Sequence, residues 1–408
     1  MPGSGLNERR DVVAGSTGES AASKGHARAS ARIEVREVSS RSERRAFIRL
    51  PWQLCRSNPF WVPPLLSDIA RTLDPTRNPF LKHAETHLYL AWCEGRPVGR
   101  IAATVDRLYN AHYGKSTGFW NLFETVNDVS VARALLDRAA SDLRERGMTE
   151  MEGPADQSAI GQCGLLLEGF DEPPAISMPY NPPEYPALVE QAGCRPVEDF
   201  YAYSIDVESL MRDQKRLERL ERLEAAIRKR RPNLIVRPLD MRHFEGDILA
   251  MGRLFNSALS VLPGLVPTPD EELLQMARDL KPIADPEIVL IAEVEGIAVG
   301  SAFGIPDINP ILKQINGRLF PFGWARLLRG KRFIRRARIA AYAALPEYRQ
   351  MGVVPLLMAC LLRSARNRGY TSVELSYISA SNRPSFQTLE HAIAPRLYKR
   401  YRRYSKKL

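Results

Sequence analysis

Apolar and polar positions follow the same order twice along the chain. YLAWCEGRPVGRIAA (89–103) and VLIAEVEGIAVGSAF (289–303) each read as an apolar strand, a Glu-Gly turn and a second strand entered through Val-Gly, the pattern of a β-hairpin. RERGMTEME (144–152) and RNRGYTSVE (366–374) each end a helix at glycine and then begin a strand. EQAGCRPVEDFYAY (190–203) and EHAIAPRLYKRYRRY (390–404) make a third pair. The matches lie 201, 222 and 200 residues apart, which an internal duplication with a separate insertion in each half explains. Each half predicts hairpin, helix, strand, helix, strand. That order gives a mixed β-sheet flanked by helices, an α/β class.

Between the halves, SLMRDQKRLERLERLEAAIRKRRP (209–232) places Leu210, Leu217, Leu220, Leu223 and Ile227 at helical spacing and stops at Pro232. It reads as a charged, solvated linker helix. The expected layout is a disordered tail over 1–32, rich in Gly, Ser and Ala, then a first domain over 33–207, the linker over 208–232 and a second domain over 233–408.

The second half contains a loop that the first lacks. Residues 340–345 predict a strand ended by Pro346, and residues 355–368 predict a helix with Leu356, Met358, Ala359, Leu362 and Ala365 inward and Gly369 as its stop. Backbone N–H groups from Gln350 to Val354 would then sit at a helix N-terminus, where unpaired donors and the helix dipole favour an anion such as a pyrophosphate. No Lys-Ser/Thr follows the glycine, so this is not a Walker loop.

PEYRQMGVV (346–354) resembles the acyl-CoA loop of the GNAT superfamily of N-acyltransferases, R/Q-x-x-G-x-G/A after a strand. Arg349 and Gly352 match, and Val354 stands where that family has Gly or Ala. Gly300 and the run VELSYISASNRPSFQTLE (373–390) agree with the same fold. The resemblance implies two tandem GNAT-like domains and acyl transfer to an amine, with acyl-CoA as cosubstrate, no tightly bound cofactor and no metal. It places the acyl-CoA on Leu345, Arg349, Gln350, Met351, Gly352, Val353 and Val354, with Asn382 either fixing the pantetheine arm or capping the next helix. In the first half, NDVSVARALL (127–136) enters the corresponding helix without Arg-x-x-Gly, leaving that half as scaffold or substrate wall. Together with GLLLEGFDEPP, PYNPPEY and INGRLFPFGW, it resembles a bacterial group of tandem GNAT-like proteins that includes acyl-CoA-dependent ceramide synthases. That likeness implies a lipidic amine, a sphingoid base.

Amide formation from a thioester needs an uncharged amine, a path for its proton and help for the departing thiolate. Glu374 and Tyr377, on the strand after Gly369, are candidates for deprotonation and substrate contact, but three apart in a regular strand they point to opposite faces unless a bulge intervenes. Glu374 reads as the base, through water, or else as an edge-strand surface carboxylate. For the acid, the tyrosine that the family places seven residues after the motif Asn falls on Leu389, so Tyr398 is the nearest replacement, or a packed tyrosine. HAETH (83–87) is not HExxH, because its Glu comes one place late, and its neighbours suggest strand entry. Cys163 and Cys360 have apolar neighbours and read as core.

Composition, 44% apolar and 26% charged, is that of a soluble globular protein. The longest apolar run, residues 353–362, is half the roughly 20 residues that a membrane-spanning helix needs. Five cysteines without a CxxC pair fit a reducing cytoplasm. The net charge of +11 is concentrated: residues 308–346 carry nine cations and no acid, and the tail after Pro395 carries seven more without an acid. An anionic partner is therefore expected at the second half. INPILKQINGRLFPFGWARLLRGKRFIRRARI (308–339) mixes those cations with Phe, Trp, Leu and Ile, which suits an anionic membrane at the inner face of the cytoplasmic membrane, or a helix pair packed on the domain. The rival reading is a nucleic-acid binder or regulator on an inactive GNAT scaffold. No helix-turn-helix, zinc or RNA-binding signature accompanies it, and neither rival needs the loop at 346–355.

Overall fold

The computed structural model describes residues 32–155, 163–259, 264–382, 393 and 395–408, so all but the last residue of the expected tail lies outside the described residues. The first half runs β1 (Ile33–Glu37), α1 (Arg41–Leu54), α2 (Leu66–Thr72), β2 (Ala84–Cys93), β3 (Arg96–Asp106), α3 (Arg107–Tyr113), β4 (Thr117–Thr125), α4 (Val129–Glu145), β5 (Glu150–Gly153), β6 (Leu165–Glu168), α5 (Tyr185–Gln191) and β7 (Arg195–Asp206). Two helices follow, α6 (Val207–Arg212) and α7 (Gln214–Arg230). The second half runs β8 (Leu234–Pro238), α8 (Phe244–Leu259), α9 (Asp270–Leu280), β9 (Val289–Val294), β10 (Ile297–Pro306), α10 (Asn309–Ile315), α11 (Gly323–Gly330), β11 (Arg336–Ala344), α12 (Val353–Asn367), β12 (Ser372–Ser379) and β13 (Arg396–Lys407).

The repeat expected from the Val-Gly hairpins is physical. A Cβ on Gly99 would lie 2.7 Å from Leu135 of α4, and one on Gly300 would lie 2.3 Å from Val353 of α12. Both glycines are there because a helix lies almost on the strand. In each half the strand before that helix runs parallel to the strand after it, β4 with β5 and β11 with β12.

All strands join in one 13-stranded mixed sheet, ordered β1-β2-β3-β4-β5-β13-β7-β12-β11-β10-β9-β8 with β6 beside β13. The last strand of each half is exchanged. β13 lies on β5 and β6 of the first half, β7 lies on β12 of the second, and the two exchanged strands pair with each other from Arg396↔Ser204 to Ser405↔Arg195. Residues 33–408 accordingly form one compact unit. Tyr401 and Tyr404 of β13 are fully buried.

Three expectations change. The helix between the halves is not solvated: Leu220, Glu224 and Ile227 are buried on α7, and Ile227 joins Val353, Leu356 and Leu357 in one core. Glu224 pairs with Arg228 at 2.9 Å and also with Arg363 of α12, which places Cys360 in ionic rather than purely apolar company. The basic tail is not a free cationic surface either. Arg396 pairs with Glu172, Arg400 with Glu168 and Asp199, Arg402 with Asp199, Arg403 with Glu152 and Glu198, and Lys406 with Asp137. These acids belong to the first half, so most of the tail's charge is paired within the protein.

The basic segment 308–339 divides. Ile311, Leu312 and Ile315 of α10 are buried in the core, as the packed-helix reading requires. Phe320, Phe322, Trp324, Leu328 and Phe333, by contrast, are exposed, Phe320 to 82%. No ion pair among the described residues involves Arg318, Arg326, Arg329, Lys331 or Arg332 around them.

Candidate active site

β11 and β12 pair in parallel only from Arg336–Ser372 to Ile339–Leu375. Beyond these four pairs the strands part, β11 continuing to Ala344 and β12 to Ser379. On its other edge β11 carries a bulge, since Phe303 faces Ala341 while Gly304 faces Ile339, leaving Ala340 unmatched. A cavity of about 680 Å³ opens at this parting. Its walls include Ala340, Ala341 and Tyr342 of β11, Ser376 to Ser379 of β12, apolar side chains of α8 and α9, and the inner face of β3 and β4 from the first half.

The loop expected to hold pyrophosphate lies at the end of β11. Leu345 donates its N–H to the Val299 carbonyl at 2.9 Å, and a 3₁₀ turn (Pro346–Met351) follows. Gly352 takes a left-handed conformation, φ +80°, that favours glycine, and α12 begins at Val353. No side chain caps α12, no acid stands in its first turn, and Pro355 brings no N–H of its own. The corresponding helix of the first half differs: Asp128 caps α4, accepting the Ser130 N–H at 2.7 Å. A carboxylate thus sits where an anion would bind in the first half, and none does in the second.

Other loop residues have partners that sequence could not supply. Arg349 donates to the Ala258 carbonyl of α8 at 2.6 Å, so it ties the loop to that helix. Gln350 is exposed, Met351 and Val354 are half-buried against the core, and Val353 is buried. A Cβ on Gly352 would meet Ile227 of α7 at 2.9 Å. A bulky residue there would displace α7. Asn382, at the far end of β12, lines the cavity, and the helix expected after it lies outside the described residues, as does Leu389.

Glu374 and Tyr398 meet. β12 is an interior strand and Glu374 is 1% exposed, which excludes the surface-carboxylate alternative. One carboxylate oxygen accepts the Ser376 hydroxyl at 2.6 Å, and the other accepts Arg336 at 3.0 Å and the Tyr398 hydroxyl. Arg338, also buried, donates to Ser376 Oγ at 2.9 Å and to the Ile176 carbonyl at 2.9 Å. Arg336 in turn lies 3.3 Å from Asp307, whose carboxyl burial pushes up to about 6. Lys399 beside this network donates to the Gly169 and Glu172 carbonyls, and burial holds its ammonium down at about 8.

Glu374 and Tyr398 do not line the cavity; Ser376, Arg338 and Tyr377 do. The β12–β7 register does break between Leu375 and Ile378, where the sequence allowed for a bulge, yet of Glu374 and Tyr377 only Tyr377 reaches the cavity wall. Tyr377 stacks edge-on against Phe200 and Tyr401, its hydroxyl accepts the Cys163 N–H at 3.2 Å, and burial drives its pKa far up, so it holds its proton. Cys163 therefore stands on the cavity wall.

Sequence reading missed several groups. Ser376, inside the run 373–390, lines the cavity without any motif to mark it, and Glu198, Arg403, Thr104 and Asn121 line it from elements distant in sequence. Residues His83 and His87 of HAETH take different partners. His83 lies between Asp106 at 3.0 Å and Glu272 at 2.7 Å in the cavity wall, whereas His87 binds Glu37 and Glu85. Burial raises the Glu272 carboxyl.

A model of the Acetyltransferase (GNAT) family matches residues 264–392. Over 380 residues the chain is 30% identical to Protein YghO of Escherichia coli (strain K12), covering 92% of this chain and 95% of that one. Over 385 residues it is 30% identical to a bacterial ceramide synthase of Caulobacter vibrioides (strain NA1000 / CB15N), covering 92% of this chain and 98% of that one. Among solved structures, a tandem GNAT protein from the clavulanic acid biosynthesis pathway superposes with a TM-score of 0.55 at 12% identity, over 92% of this chain and 98% of its own.

Proposed function

Since the chain belongs to the GNAT family and is an N-acyltransferase, we propose that its acyl donor is a coenzyme A thioester and its acceptor a long-chain amine of the sphingoid class. The observation that carries the donor is the contrast between the two helix starts: α4 is capped by Asp128, and α12 is left uncapped behind the Arg349–Gly352 turn. In this reading the pyrophosphate rests on the first turn of α12. The pantetheine arm follows the parting of β11 and β12 past Asn382, and the thioester reaches the cavity at Ala340–Tyr342. The lipidic acceptor is supported by the ceramide synthase relative and by the apolar cavity walls.

The amine nitrogen attacks the thioester carbon, a C–N bond forms, the C–S bond breaks and CoA leaves as thiolate. Ser376 faces the cavity with its hydroxyl on Glu374, so it passes the amine proton to that buried carboxylate. Tyr377, on the cavity wall and holding its proton, stabilises the departing thiolate by an O–H···S hydrogen bond; Tyr398 instead serves Glu374. Purified protein given palmitoyl-CoA and a long-chain amine is expected to release CoA thiol only when both are present. Thioester that stays intact with every long-chain amine tried would be the contrary result.

No helix among the described residues is long and apolar enough to cross a membrane. We infer peripheral binding to an anionic leaflet, such as the inner face of the cytoplasmic membrane, through the exposed aromatic and cationic surface at 318–333. Each cation near such a surface contributes about 1 kcal/mol. Changing Phe320, Phe322 and Trp324 together to Ser preserves charge and should leave the melting curve intact, because these side chains are exposed. Sedimentation with phosphatidylglycerol vesicles should then fall by about tenfold or more, since three buried aromatics are lost from the lipid. Undiminished sedimentation would refute the contact.

A further inference from the structure

We propose that the cavity face of β3 and β4, in the half without a cofactor loop, is the acceptor subsite and takes the hydroxyl-bearing head of a 2-amino alcohol. Asn121 is 4% exposed, yet it lines the cavity and its Oδ1 has no hydrogen-bond partner among the described residues. Its Nδ2 is already committed to the Ala155 carbonyl at 3.2 Å and to Thr104 Oγ1 at 3.4 Å, which fixes the amide with its oxygen unused. A buried carbonyl oxygen without a donor keeps its full desolvation cost, which a ligand N–H or O–H would remove.

The surrounding groups define what that ligand offers. Thr104 and Asp106 are two apart on β3 and so share one face of it, and both line the cavity. Asp106 continues to His83 and Glu272. Asn121 Oδ1, Asp106 and Glu272 are acceptors, and His83 is the one basic group hydrogen-bonded among them. Such a strip selects a ligand rich in donors, an amine with a neighbouring hydroxyl, over a bare alkyl chain. Its apolar continuation is supplied by Ile248, Met251 and Phe255 of α8 and Leu273, Met276 and Leu280 of α9.

The geometry also sets the head against the chemistry. Ala155, which accepts from Asn121, pairs with Cys163, and the Cys163 N–H donates to the Tyr377 hydroxyl at 3.2 Å. A hydroxyl on Asn121 therefore brings the adjacent amine toward Tyr377 and Ser376. The proposal rests on the N-acyltransfer reading for its consequence, but binding tests it separately.

Titration calorimetry with 2-aminododecan-1-ol and with dodecylamine, below their micellar concentrations, is the test. Wild type is expected to bind the amino alcohol about tenfold more tightly, the worth of one net hydrogen bond. Asn121→Leu should bind both alike, while Asn121→Asp, which keeps the acceptor, should retain the preference. If Asn121→Leu melts without cooperativity, Asn121→Thr removes the carbonyl with less disturbance and is expected to lose the preference in the same way. Equal binding of the two ligands by wild type, no binding of either, or an unchanged preference in a folded Leu or Thr variant overturns the subsite. A preference that depends on Asn121 in a protein that acylates neither ligand would uphold the subsite and refute N-acyltransfer.

Discussion

The chain stopped after Pro395 will not fold in either half. β13 fills the space between β5 and β7, and its removal bares the paired edges of both strands and of β6. Tyr398, Tyr401 and Tyr404 lose their burial, at about 2 kcal/mol each. Asp199 loses Arg400 and Arg402 together. Against a net stability of about 5–15 kcal/mol for a domain, the sum is decisive. Circular dichroism and size exclusion should show aggregated or unfolded protein, where full-length protein gives one cooperative melt. A soluble truncated chain that melts cooperatively would show that the exchanged strand is dispensable.

Turnover should collapse when either end of the Ser376–Glu374 pair is changed. Glu374→Gln and Ser376→Ala are each expected to lower kcat by about 10²–10⁴-fold, the range for a positioned proton acceptor. They should leave the acyl-CoA Kd within about threefold, because neither residue belongs to the α12 turn. Acting as one path, they should not add: the double variant should be no slower than the worse single one. Glu374→Gln also unbalances buried Arg338 and half-buried Arg336, a loss of up to about 3–5 kcal/mol, so melting curves must accompany the kinetics. Ser376→Ala is the cleaner probe. Wild-type kcat in that variant would remove Glu374 from the chemistry.

The duplication was legible because Gly99 and Gly300 answer a local demand: a Cβ there would strike the next helix, so the same residue recurs at the same place. The hairpins and the α12 turn were legible for the same kind of reason. Strand exchange was not. Hydrophobic periodicity records which face of a strand is buried, and says nothing of which neighbour pairs with it. β13 was harder still, since two breaks in its register space the buried tyrosines 398, 401 and 404 three apart. That spacing hides the alternation of a strand, and the intervening Arg and Lys residues read as a basic tail.

Within the site, Glu374 and Tyr377 stood in the sequence as candidates, but the irregular stretch of β12 between Leu375 and Ile378 kept their spacing from showing which of them reaches the cavity. Asn121 carried no sequence signal as a site residue, and His83 only the imperfect HAETH motif, because both come from the half that lacks the loop. Only folding one half against the other brings them to the cavity. Leu220 and Ile227 marked α7 as amphipathic, yet its partner α12 lies more than a hundred residues on.

The direct measurement is mass spectrometry of a single reaction, in which full-length protein receives palmitoyl-CoA labelled with ¹³C in the acyl carbonyl together with 2-aminooctadecan-1-ol. The account predicts the labelled N-acyl amide and free CoA in equal amounts, with neither formed when the amine is omitted. Labelled fatty acid without amide, or an ester at the hydroxyl in place of the amide, would contradict it.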